Sequence, residues 1–177
     1  MTNEKIKIQD DFLDYHEFEE VHEAMVGAVA FPWYYNNYID YNEGGENGDV
    51  DNFQFTHMFY LTSMPTDDES TRFIVPMLRI IDPITLVRVK ANLLTRTPKI
   101  VENEFHVDIG IAAKKLEQLT TSIMYINTNN GYTEFENGMK VESVANRLVT
   151  FPSNMIHKGT SCTDKQTRVV INFNYFK

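Results

Sequence analysis

The sequence predicts a mainly β protein with helices flanking its N-terminal side, a sandwich or jelly roll. Beyond residue 85, short runs rich in β-branched and aromatic residues alternate apolar with polar positions. Turn signals interrupt these runs at intervals of about 8–12 residues, the spacing of sandwiches and barrels. Helical periodicity, by contrast, is confined to the first 81 residues.

In chain order, Ile6 to Ile8 alternates as a short edge strand ending at Asp10 and Asp11. Residues 12–29 place Phe12, Tyr15, Phe18, Val21, Met25 and Val29 at helical spacing, with Asp10 or Asp11 as the expected cap. His16 and His22 lie six apart, the wrong spacing to share a metal, and read as surface or otherwise satisfied residues. Residues 36–52 are rich in Gly, Asn and Asp, which predicts a loop. Nearby Trp33, Tyr34, Tyr35, Tyr38 and Tyr41 either fill the seam between helix and sheet, the favoured reading, or line a substrate cleft. Residues 53–60 read as a strand, with His57 unassigned because no carboxylate sits at strand spacing from it. An acidic turn over 66–71 precedes a second helix over 72–81, closed by Asp82 and Pro83, provided that Pro76 falls in its first turn.

Strands are then expected over 86–94, 105–109, 120–127, 132–135, 140–143, 147–151 and 168–176. Residues 95–103, with Pro98, form a loop. Thr128 to Gly131 is a turn, Asn137 and Gly138 mark a hairpin, Pro152 stops a strand, and residues 153–158 deliver His157. No repeat or linker divides the chain. One domain is expected over 1–177, with 1–85 as helical and strand support and 86–177 as the jelly-roll core.

Composition excludes several classes. No window approaches the ~18 uninterrupted apolar residues of a membrane span. Residues 1–14 lack the apolar core of a signal peptide. Cys162 is the only cysteine, so no intramolecular disulfide forms, and a reducing cytoplasm is the expected compartment. The net charge of −9 is uneven: residues 1–70 hold 2 basic and 16 acidic residues, and the remainder 14 basic and 9 acidic. The acidic front half disfavours a general nucleic-acid binder, while the basic back half suits a small dianion.

The chemistry concentrates in Phe105, His106, Val107 and Asp108, together with His157. On a strand, His106 and Asp108 would project into one space. Two imidazoles and one carboxylate on one face of a metal leave the opposite positions open, the arrangement of non-haem Fe(II) oxygenases. Arg168 follows His157 by eleven residues and heads a largely apolar run. A buried arginine there needs an anion, and its planar fork suits a carboxylate.

These residues, with Tyr125 to Gly131, Thr133 to Phe135, Phe151 to His157 and Arg168 to Phe173, resemble the 2-oxoglutarate/Fe(II) oxygenases of the prolyl-4-hydroxylase-like superfamily. They are similar in particular to small stand-alone members found in tailed bacteriophages, which would place the protein in a host cytoplasm. The resemblance covers residues 86–177 well and the first half loosely. It implies a double-stranded β-helix, Fe(II) held by His106, Asp108 and His157, and Arg168 on the distal carboxylate of 2-oxoglutarate. It further implies consumption of O2 with release of succinate and CO2. Tyr125 resembles a tyrosine that helps hold that carboxylate, with core packing as its alternative. Asn92 falls where relatives place a polar group near the cosubstrate, although Leu93 and Leu94 replace a tyrosine that several relatives carry. Val170 stands where some oxygenases use a hydroxyl, which leaves Tyr125 or Thr121 as the expected helper.

The implied activity is hydroxylation of a prolyl or other residue in a protein or peptide, with residues 31–55 as a substrate-facing lid. Oxidation of a small molecule or nucleobase is the enzyme alternative. A catalytically silent jelly-roll binding module is the alternative from another class, and the intact set of four residues argues against it.

Overall fold

A computed structural model of the chain describes residues 5–27, 31–39, 53–62, 69–110 and 112–177. Its main sheet contains seven strands, each paired antiparallel with its neighbours: β1 (Lys7–Gln9), β8 (Arg147–Pro152), β5 (Leu119–Tyr125), β10 (Thr167–Phe176), β4 (Thr85–Thr95), β3 (Gln54–Leu61) and β2 (Tyr34–Asn36), in that spatial order. A smaller sheet runs β7 (Lys140–Glu142), β6 (Tyr132–Phe135) and β9 (His157–Gly159). Isolated bridges Glu102–Thr160 and His106–His157 attach a further piece of chain beside β9.

The main sheet is covered on both faces, and period-2 alternation assigns its side chains to one side or the other. Val169, Ile171, Phe173 and Tyr175 of β10 join Val89, Ala91, Met124 and Leu148 on one face. There they pack against α1 (Tyr15–Val26) and α2 (Val75–Ile81) through Phe18, Val21, Met25, Met77 and Ile81. The intervening residues look the other way, where Ile123, Tyr125, Val149, Phe151 and Val170 meet Phe135 and Val141 of the small sheet. The two sheets therefore close a sandwich, the expected jelly roll.

Several elements differ from expectation for identifiable reasons. Asp14, not Asp10 or Asp11, caps α1, accepting from the His16 N–H at 3.0 Å. The helix starts late because Phe12 and Leu13 are buried and their backbones are tied to Asn146. Asn146 holds φ 61°, a left-handed conformation that asparagine tolerates. Asp10 instead pairs with Arg147. Tyr15, on the expected apolar stripe, is 66% exposed, and Val29 lies outside the described residues.

The second helix divides into a 3-10 turn, Glu69–Ile74, and α2, with Pro76 in the first turn and Asp82 as a left-handed cap. The acidic turn falls partly outside the described residues. Short β2, β9 and the one-turn α3 (Ala113–Leu116) carry too few residues for periodicity to register. The expected hairpin forms at Asn137 and Gly138, the latter at φ 82°.

Phe173 is fully buried at the centre of β10. Phe173→Ala should lower stability by about 3–5 kcal/mol, read from the midpoint shift in urea denaturation.

Candidate metal centre

His106, Asp108 and His157 meet at the mouth of the sandwich, with one ligand-capable atom from each lying within 4.8 Å of the others. The two histidines bridge the strand gap: His106 N–H donates to the His157 carbonyl at 2.9 Å, and His157 N–H returns the bond at 3.0 Å. Their rings stand 5.1 Å apart. Residues 105–109 were expected as a strand, but only His106 pairs, and Asp108 sits in a bend. The convergence comes from this bridge and from the groups that grip Asp108.

Backbone carbonyls fix both imidazole tautomers. His106 Nδ1–H donates to the Glu104 carbonyl at 2.9 Å, and His157 Nδ1–H to the Met155 carbonyl at 3.0 Å. A carbonyl can only accept, so each Nδ1 carries a hydrogen, and in the neutral form of either ring the lone pair then lies on Nε2. This is how metal-ligating imidazoles are oriented from behind.

The Asp108 side chain is 4% exposed. Asn172 donates to Oδ1 at 3.3 Å, Asn174 to Oδ2 at 3.0 Å, and Arg88 lies 3.3 Å from Oδ1. Burial alone would raise its pKa, but the His157 imidazole, Arg88 and the Asn174 hydrogen bond bring it down to about 2. An ionised carboxylate beside two imidazoles is a donor set suited to a divalent metal.

Behind the cluster a cavity of about 490 Å³ opens between the sheets, lined by all three residues and by Arg168. Arg168 is 3% exposed. Its Nε donates to Ser143 Oγ at 2.8 Å and its NH2 to Thr133 Oγ1 at 3.3 Å. Gly131 makes room for it, since a Cβ there would lie 2.7 Å from the Arg168 Cδ. No carboxylate among the described residues pairs with this guanidinium, and burial pushes its pKa down. An uncompensated buried cation is costly unless a ligand brings the anion.

The other expected residues separate. Asn92 lines the cavity. Tyr125 is fully buried behind it, with its hydroxyl donating to Thr133 Oγ1 at 2.8 Å. Thr133, which sequence reasoning passed over, therefore stands between Tyr125 and the cavity wall. Thr121 is the clearest displacement. It lies opposite Asn174 in the β5–β10 register, bonded to Ser153 and accepting from Asn174 at 3.0 Å. It thus supports the Asp108 end and lies six strand positions from the Arg168 end.

Arg88, Asn172 and Asn174 were also missed. Their signal was polar side chains at alternate positions of two otherwise apolar strands. Of the aromatics, Trp33 packs on the core, Tyr34 and Tyr35 are over 60% exposed, Tyr38 lines the cavity, and Tyr41 lies outside the described residues. His57 is structural: its Nδ1–H donates to the Pro32 carbonyl and Ser70 Oγ–H to its Nε2.

Fold and site together define a jelly roll with a two-histidine, one-carboxylate cluster and an anion-seeking arginine inside it. That fold is the one shared by 2-oxoglutarate/Fe(II) oxygenases of the prolyl-hydroxylase type. A prolyl hydroxylase from Trichoplax adhaerens, solved in complex with a hypoxia inducible factor peptide fragment, superposes with TM-score 0.65 at 13% identity, over 98% of this chain and 84% of its own. The viral collagen prolyl hydroxylase of Paramecium Bursaria Chlorella virus-1, a 2OG complex, gives 0.59 at 15% identity over 97% and 96%. A non-heme alpha ketoglutarate dependent epimerase from nogalamycin biosynthesis gives 0.62 at 10% identity over 98% and 78%. No family model matches the sequence, and no curated protein matches it.

Burial holds the His157 pKa below its ordinary 6.5, and nearby Asp108 only partly offsets this. The unfolded chain takes that proton more readily than the folded one. Stability of the metal-free protein should therefore fall as pH drops below 6.5. Urea titrations of His157→Gln across this range should show a shallower fall than wild type.

Proposed function

We propose that the chain, as one domain over residues 1–177, is a 2-oxoglutarate- and Fe(II)-dependent dioxygenase that hydroxylates a residue, prolyl or other, of a protein or peptide. The observation that carries this reading is the presence in one cavity of the His106, Asp108 and His157 cluster and a buried Arg168 without an acidic partner among the described residues. The residues fit iron and 2-oxoglutarate on chemical grounds: three hard-to-borderline donors suit Fe(II), and a guanidinium fork suits a carboxylate.

In this reading His106, Asp108 and His157 hold the metal, and Arg168 binds the far carboxylate of 2-oxoglutarate. Thr133 orients Arg168 with Ser143, and Tyr125 fixes Thr133 from behind. Asn92 offers an amide to the same space. When bound, iron and 2-oxoglutarate would let O2 act as the oxidant, one oxygen atom going to succinate, released with CO2, and the other to the substrate. The protein supplies alignment and a water-poor enclosure. Asp108 stays ionised through its donors, so metal binding needs no proton release from it at neutral pH.

A peptide substrate is supported by the exposed Phe105 and Tyr38 at the cavity lip. The Trichoplax enzyme's bound peptide is a second support. About half of the expected lid, residues 40–52, lies outside the described residues. Oxidation of a small molecule is the second reading, favoured by the many polar side chains lining the cavity.

Anaerobic addition of Fe(II) and 2-oxoglutarate should produce a weak charge-transfer band in the green. His157→Ala should abolish it. Arg168→Ala should weaken 2-oxoglutarate binding by about 30-fold or more, since truncating one partner of a buried charge pair costs about 2–5 kcal/mol. A folded wild type with no band would leave only a silent binding module.

A further inference from the structure

One cation lining the cavity is taken up neither by the metal cluster nor by the cosubstrate. Arg88, Lys90 and Arg168 line it, against two carboxylates, Glu104 and Asp108. Arg88 is committed, 3.3 Å from Asp108 and donating from Nε to Asn174 Oδ1 at 3.1 Å. Arg168 is assigned to 2-oxoglutarate, whose second carboxylate meets the metal. Lys90 remains.

Lys90 shares a face of β4 with Arg88 and Asn92 and is partly buried. It has no ion-pair partner among the described residues. Burial and the neighbouring Arg88 bring its pKa down to about 8, so at neutral pH most molecules carry the charge. A partly buried ammonium whose burial the nearby Asp108 charge only partly offsets is unfavourable, and a ligand anion would relieve that.

The residue beside it sharpens the chemistry. Asn172 is the cross-strand partner of Lys90 in the β4–β10 register, and both line the cavity. Its amide nitrogen donates to Asp108, while its Oδ1 is buried with no hydrogen-bond partner. An orphan buried acceptor calls for a donor. One wall near the metal cluster therefore presents a cation and an unmatched acceptor side by side.

We propose that Lys90 and Asn172 select the primary substrate, Lys90 by pairing with a carboxylate and Asn172 Oδ1 by accepting from an adjacent N–H or O–H of the same molecule. The inference rests on the oxygenase reading and gives its substrate class: an amino or hydroxy acid, free or as an acidic residue of a peptide. Lys90 is a specificity residue, not a ligand of metal or cosubstrate.

The test uses protein loaded anaerobically with Fe(II) and 2-oxoglutarate, in wild-type, Lys90→Met and Lys90→Arg forms. Calorimetric titration compares L-glutamate, L-aspartate, L-malate and a glutamate-bearing peptide with L-glutamine, L-asparagine and the glutamine-bearing peptide. At least one acidic probe should bind about tenfold or more tightly than its neutral counterpart, the worth of a hydrogen bond to a charged group. Lys90→Met should erase that preference with 2-oxoglutarate affinity unchanged, and Lys90→Arg should restore part of it. Whether the free acids or the peptide respond identifies the source of the carboxylate. No acidic preference in wild type, a preference that survives Lys90→Met, or a loss of 2-oxoglutarate affinity in that variant overturns the proposal. A missing charge-transfer band in wild type sinks the oxygenase reading and this inference with it. A normal band without acidic preference sinks this inference alone.

Discussion

Strand β10 is obliged to bury both faces at once, and much of the molecule is arranged to let it. On one side Val169, Ile171, Phe173 and Tyr175 drive the sheet against the helices. On the other, Arg168, Asn172 and Asn174 bring polar groups into a space that must then be supplied with partners. The first set supplies hydrophobic stabilisation roughly in proportion to the area removed from water. The second set spends some of that stability to hold chemistry in place.

The two ends of that polar face do different work. Near Asn174 the problem is to keep Asp108 ionised while buried, and Arg88 and two asparagine amides meet it with donors from adjacent strands. Near Arg168 the problem is the reverse, a cation surrounded by hydroxyls that orient it without neutralising it. A dianion between that guanidinium and a divalent ion on the cluster would meet positive charge at both ends, which is why the proposed cosubstrate fits this electrostatic layout.

The parts of the site legible in the sequence were those whose residue types conflict with their surroundings. His106, Asp108, His157 and Arg168 stand out because charged or metal-ligating groups are rare in apolar strand segments. The long strands and the Asn137–Gly138 hairpin were legible through periodicity and turn chemistry. Helper residues were not, because their roles depend on register between strands distant in sequence. Thr121 and Thr133 are both threonines on inner strands; only the β5–β10 register puts Thr121 beside Asn174, and only the packing of the small sheet on the large one puts Thr133 beside Arg168. The cap of α1 failed for a similar reason, since Asn146, far along the chain, dictates where the helix begins.

The excursion between β4 and β5 is stitched to the small sheet mainly by the Glu102–Thr160 and His106–His157 bridges and a handful of backbone bonds. Two of the three cluster residues ride on that excursion and the third on β9. An ion held by all three would act as a cross-link between segments widely separated in sequence, closing a long loop and shrinking the entropy of the open chain. Metal supply and chain integrity then become one equilibrium: a ligand that binds only the closed form stabilises it by mass action. In a cell poor in that metal, the excursion would lose this cross-link and open to proteases more readily.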